Sequence, residues 1–172
     1  MEKYKKLFES DNIYYIKMDK NLYNEYLKMY SNPELQIMLF GKNYTDEQIS
    51  NWINKQLLDK ETYIFSMMEK ESHEYIGNAE IIKKDDDIGE IMISITPEKQ
   101  NNHYGTEGME SIIQYAIHHL GLKDIELYVK KANKKAIHCY EKMGFIIDND
   151  GITDNDVHML KSKWLKKSLL WN

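Results

Sequence analysis

The chain is 172 residues long with 42% apolar and 30% charged side chains, a balance that supports one packed domain over residues 1–172 and excludes disorder as a description of the whole. Its 23 basic residues are all lysine and are outnumbered by 28 acidic ones, for a formal charge of −5. Nucleic acid, whose phosphates need a basic face, is therefore a poor default partner. The lone Cys139 rules out an internal disulfide and a cysteine metal cluster, and suits a cytoplasmic setting. Met1 to Lys6 runs into Leu7-Phe8-Glu9-Ser10-Asp11-Asn12 rather than the long apolar stretch of a secretory signal, and no apolar run approaches the roughly 18 residues of a membrane span.

In chain order, Ile13 to Met18 reads as a first strand. Asn21 to Tyr30 places Leu22, Tyr26, Leu27 and Met29 at helical intervals and stops before Ser31-Asn32-Pro33. Ser31 to Tyr44 follows as a loop. Thr45, with Gln48 three positions on, forms a capping-box pattern opening a helix whose apolar stripe is Ile49, Trp52, Ile53 and Leu57. Thr62 to Met68, Tyr75 to Lys83 and Ile88 to Ile95 are strands whose short polar connections favour antiparallel pairing. From Thr106, the residues Met109, Ile112, Ile113, Ala116, Ile117 and Leu120 recur as a helix packed on a sheet requires, and Gly121 ends it. Ile125, Leu127 and Val129 then alternate with Glu126, Tyr128 and Lys130 as a strand, which the crossover makes parallel to Ile88–Ile95. Asn133 to Met143 is a last helix stopped by Gly144. Phe145 to Ile147 and Val157 to Ser162 form a final strand pair around the turn-rich Asp148 to Asp156. This order predicts an α/β chain with a mixed, mostly antiparallel sheet and helices on both faces.

The segment Gln100-Asn101-Asn102-His103-Tyr104-Gly105-Thr106 joins a strand to a helix N-terminus. Such a junction presents unpaired backbone N–H groups and the positive end of the helix dipole, which is either a phosphate cradle or an ordinary capped loop. The ordered pieces resemble the GNAT superfamily of acyl-coenzyme A dependent N-acetyltransferases. Gln100 and Gly105 match the ends of its Gln/Arg-x-x-Gly-x-Gly/Ala signature, whereas His103 stands where the family usually has Gly. Asn133 to Phe145 is similar to the family's Asn-x-x-Ala-Ile-x-x-Tyr-x-x-x-Gly-Phe element through Asn133, Ala136, Ile137, Tyr140, Gly144 and Phe145. The likeness is closest to the branch of ribosomal-protein N-terminal and spermidine acetyltransferases, in which an acidic residue precedes a proline by seven positions, as Glu90 precedes Pro97.

The resemblance implies a GNAT fold with a splayed parallel strand pair, acetyl-CoA as co-substrate and no metal. It further implies that the pyrophosphate lies on the amides of Asn101, Asn102, His103, Tyr104, Gly105 and Thr106, that the pantetheine arm runs beside Ile93, Ser94 and Ile95, and that Asn133 and Ala136 adjoin the cofactor. Tyr140 matches the family's general acid, against the plainer role of a core aromatic. An ammonium must lose a proton before it attacks a thioester. Glu90 is the first candidate for the base, with substrate binding or plain exposure as its alternatives, and Glu80 is a weaker candidate of the same kind. Met38, Leu39, Phe40 and Tyr44 would border the acceptor cleft. The acceptor is a primary amine, either a small cation such as a polyamine or a protein N-terminus. A non-catalytic acyl-CoA-binding module is the rival reading. Neighbouring His138 and Cys139 point in different directions on a helix and make no nucleophile pair. Trp164 and Trp171 pack either on the sheet or on another subunit, which leaves a homo-oligomer open.

Overall fold

A computed structural model of the chain describes residues 4–148 and 153–161. Eight strands form one sheet: β1 (Lys6–Glu9), β2 (Ile13–Lys17), β3 (Thr62–Glu69), β4 (Tyr75–Lys83), β5 (Ile88–Ile95), β6 (Asp124–Lys130), β7 (Ile146–Asp148) and β8 (Asp156–Leu160), in the spatial order β1-β2-β3-β4-β5-β6-β8-β7. Every neighbouring pair is antiparallel except β5 and β6, which are parallel. The helix α4 (Tyr104–His118) makes that crossover, and α5 (Lys134–Lys142) follows β6. Ile112, Ile113 and Ala116 of α4 and Ile137 of α5 bury against Ile81, Ile91, Ile125 and Leu127 on one face. On the other face α1 (Tyr23–Tyr30), α2 (Pro33–Phe40) and α3 (Asp46–Leu58) bury Tyr26, Tyr30, Leu35, Ile49 and Ile53 against Ile16, Ile64 and Met68. Helices thus cover both sides of the sheet, and its central strands β3 and β4 are buried on both faces along most of their length.

Two expected features change. The segment expected as a loop over residues 31–44 is mostly the helix α2. Asn32 Oδ1 accepts from the Leu35 amide at 2.9 Å, Pro33 takes the first helical position, and Gly41 ends the helix with φ 77°. Buried Gln36 ties this helix to its surroundings, donating to the Tyr30 carbonyl at 2.8 Å and accepting from the Tyr44 amide at 2.6 Å. The strand β1 is also added before the first expected one. Its turn into β2 is held by Glu107 of α4, which accepts from Ser10 Oγ at 2.6 Å and from the Asn12 amide at 2.7 Å.

Elsewhere the elements lie where the sequence places them, within a residue or two. The capping box of α3 is complete, with Gln48 N donating to Thr45 Oγ1 at 3.3 Å and Thr45 N to Gln48 Oε1 at 3.0 Å. Phe145 precedes β7 and is buried in the core, and Ser162, Trp164 and Trp171 lie outside the described residues. Gly108 lets α4 approach the sheet closely, because a Cβ there would meet Ile93 Cδ1 at 2.5 Å and Met67 Cε at 2.6 Å.

Candidate active site

Strands β5 and β6 pair at Ile88/Asp124, Gly89/Ile125 and Glu90/Glu126, and their register ends there. Beyond this fork, Ile91 to Ile95 remain paired with β4 alone. The Ile93–Ile95 stretch therefore borders an opening in which, among the described residues, main-chain donors and acceptors have no ladder partner, an arrangement suited to an extended amide-bearing ligand. Ile93 and Ile95 turn toward α4, while Ser94 is buried on the opposite face.

At the far end of β5 a 3-10 turn, Pro97–Lys99, leads into the loop that starts α4. Gln100 Nε2 donates to the Ile95 carbonyl at 3.1 Å, so its side chain fastens the end of the strand. Asn101 and His103 both adopt left-handed backbone, with φ 63° and 65°. Thus the histidine that replaces the signature glycine takes the conformation for which glycine is favoured, as His and Asn do more readily than most residues. Asn102 Nδ2 donates to the Lys99 carbonyl at 3.3 Å and the Gln100 carbonyl at 3.2 Å. Among the described residues no hydrogen bond is donated by the amides of Asn101 to Thr106. These donors and the start of a fifteen-residue helix make a site for an anion.

The helix α5 lies against this loop. Lys135 Nζ bonds Asn101 Oδ1, and Thr106 Oγ1 lies 3.4 Å from Cys139 Sγ. Asn133 caps α5, accepting from the Ala136 amide at 3.2 Å. Tyr140 therefore sits one residue from a contact with Thr106. Its ring packs at 5.8 Å from Phe145, its hydroxyl has no hydrogen-bond partner among the described residues, and burial pushes its phenol up to about 12. It is a protonated phenol at neutral pH, a state from which it can donate. A groove between α4 and α5 brings Lys135, His138 and Lys142 beside Thr106.

The carboxylates divide in a way the sequence did not indicate. Glu90 is ion-paired with Lys84 at the fork, directly across from Glu126. Glu126 Oε2 in turn lies 3.0 Å from His158 Nε2, whose Nδ1 is 2.9 Å from Asp148 Oδ2. Parallel partners project to the same face, so Glu90 and Glu126 flank the point where the strands separate. The fully buried carboxylate is Glu80, which shares that face. Tyr26 Oη donates to Glu80 Oε1 at 2.7 Å and Tyr30 Oη at 3.0 Å, and Tyr30 Oη lies 2.9 Å from Ser94 Oγ. The other oxygen, Oε2, has no hydrogen-bond partner among the described residues. Burial raises this carboxyl to about 7 despite the two tyrosine donors. The sequence singles out Glu80 only as a weaker base candidate than Glu90, and Glu126 only as an alternating residue of its strand.

Phe40, Tyr44, Trp52 and Tyr30 form a ring cluster with centroid separations of 5.1–6.1 Å, which places the expected cleft residues Phe40 and Tyr44 in one wall. Met38 and Leu39 pack partly buried against the same core. Among the described residues no group of three or more His, Cys, Asp or Glu is arranged to hold a metal ion, and no helix is long and apolar enough to cross a membrane.

The model of the acetyltransferase (GNAT) domain matches residues 16–146. The chain belongs to the GNAT family of acetyltransferase domains, whose acyl donor is acetyl-CoA. Spermidine N(1)-acetyltransferase of Escherichia coli K12 is 36% identical over 61 residues, and the match spans 36% of this chain and a third (33%) of that protein's length. In structure the chain is similar to spermidine N-acetyltransferase of Vibrio cholerae, solved with CoA and spermine. The TM-score is 0.77 at 22% identity, covering 90% of this chain and 98% of the other. It is also similar to a GNAT-family acetyltransferase of Bacillus anthracis, with a TM-score of 0.75 at 15% identity over 88% and 95% of the two chains. At these identities the likeness shows the shared fold.

Proposed function

We propose that the protein transfers the acetyl group of acetyl-CoA to a primary amine, with a small polycation such as a polyamine as acceptor. The observation that carries this reading is the fork between β5 and β6, with unpaired strand on one arm and the amide-rich loop Asn101–Thr106 at its end. The donor would lie with its pyrophosphate on those amides and its pantetheine amides on Ile93–Ile95, presenting a thioester to the acceptor. Lysines near the phosphates, Lys135 and Lys142, add long-range attraction.

The acceptor arrives as an ammonium and must shed one proton. In this reading Glu90 at the fork takes it, its ion pair with Lys84 giving way to the incoming cation. Glu126 opposite supplies a second negative charge for a polyamine chain. When the tetrahedral adduct collapses, the Tyr140 hydroxyl gives its proton to the leaving sulfur, and the phenolate recovers one from the new amide nitrogen. Protons then balance without a covalent enzyme intermediate. A polyamine is favoured over a protein N-terminus by the paired carboxylates and by the relatives' named substrate.

An amine panel, read by thiol release, tests the assignment. Turnover is expected with spermidine or spermine. Tight acetyl-CoA binding without turnover on polyamines, other amines or peptide N-termini would instead make the chain a binding module.

A further inference from the structure

The phosphate-binding loop is held in its shape from outside itself. Left-handed backbone at a residue other than glycine costs on the order of 1 kcal/mol and persists only where the surroundings enforce it. The loop contains two such residues, Asn101 and His103, within three positions.

Both flanks of this loop reach the same carboxylate, Glu69 at the end of β3. On the incoming side, Lys99 Nζ donates to Glu69 Oε2 at 3.0 Å and to Glu74 Oε2 at 2.6 Å. On the outgoing side, the hydroxyl of Tyr104, the first residue of α4, donates to Glu69 Oε1. Glu69 is itself fixed: Ser72 Oγ donates to Oε2, its amide donates to the Glu74 carbonyl at 2.9 Å, and its carbonyl accepts from the His73 amide at 3.0 Å. The donors Ser72, Tyr104 and Lys99 hold its carboxyl at about 2, so it stays ionised at any working pH.

We propose that Glu69 is a positioning residue for acetyl-CoA, clamping Lys99 and Tyr104 so that the intervening turn keeps its amides pointed at the pyrophosphate. This deepens the acetyltransferase reading and rests on it. Glu69 does not touch the nucleotide. Its loss lets Lys99 and Tyr104 part and the turn relax, so that binding must first restore the shape. The effect falls on the donor's affinity rather than on chemistry.

Glu69→Ala in the full chain is expected to raise the calorimetric Kd for CoA and the KM for acetyl-CoA roughly tenfold, with kcat at saturating donor kept within about twofold. Glu69→Gln retains an oxygen for Tyr104 and should fall between Ala and wild type, and Tyr104→Phe should weaken donor binding by a smaller factor. A readout independent of the nucleotide is trypsin cleavage after Lys99, which should accelerate severalfold in both Glu69 variants. Unchanged donor affinity and unchanged cleavage at Lys99 in Glu69→Ala and Tyr104→Phe would overturn the clamp. Wild-type protein that binds no CoA would instead overturn the function reading, while cleavage at Lys99 still decides whether the clamp exists.

Discussion

Replacing Glu80 by glutamine removes a buried ionisation, and its effect on stability should depend on pH in a defined direction. In the folded chain, burial lifts this carboxyl from 4.5 to about 7, with the Tyr26 and Tyr30 hydroxyls pulling the other way and the charge on Glu90 adding to the rise. Below about pH 4.5 the group is neutral in both folded and unfolded chains and contributes no pH dependence. Between 4.5 and about 7 the unfolded chain releases a proton that the folded chain keeps, so stability falls as pH rises, and above about 7 the penalty is complete. That interval corresponds to about 3 kcal/mol. Glutamine keeps an oxygen for both tyrosines and carries no charge. The variant should therefore match wild type near pH 4 and exceed it by up to about 3 kcal/mol near pH 8, or roughly 6–12 °C in Tm for a chain of this size. Denaturant unfolding of both proteins across this range gives the difference directly, with titrations common to both cancelling. A difference that does not change with pH, or a variant less stable at the alkaline end, would refute the reasoning.

Tyr140→Phe deletes a hydroxyl that holds no hydrogen bond among the described residues, so Tm should change little while kcat falls on the order of a hundredfold or more, measured by thiol release. Glu126→Gln should raise KM for a polyamine about threefold, an effect that shrinks in high salt and is absent for an amine without a second charge. At the left-handed position 103, His103→Gly should be neutral or slightly stabilising and should retain CoA binding. By contrast His103→Val, β-branched, should cost about 1 kcal/mol or more, as seen by thermal melts and calorimetry.

The parts of the fold legible in the sequence are those in which a local signal and burial agree. The apolar stripe of α4, the alternation of β6 and the Thr45/Gln48 box need no distant partner to be read. The helix α2 was obscured because Ser31-Asn32-Pro33 reads as a stop for α1, although Asn followed by Pro is equally a start. Its Ile37-Met38-Leu39-Phe40 run also has no helical period. The edge strand β1 offers only Leu7 and Phe8 as adjacent apolar residues, too little for an alternation. In the site, both motif segments were readable as local stretches. The burial of Glu80 depends on which strand α1 happens to cover, and the grip of Glu69 on Tyr104 spans 35 positions. Neither fact leaves a periodic trace.

The fork also divides the sheet into two unequal leaves. Five strands stand on one side and three on the other, the ladder joins them only through the pairs from Ile88/Asp124 to Glu90/Glu126, and α4 and α2 pack across the division. A molecule wedged into that seam acts as mortar between the leaves. If the donor binds there as proposed, it adds its binding free energy to a junction that the core beneath α4 already holds, so that melting of the folded chain should shift upward with donor concentration.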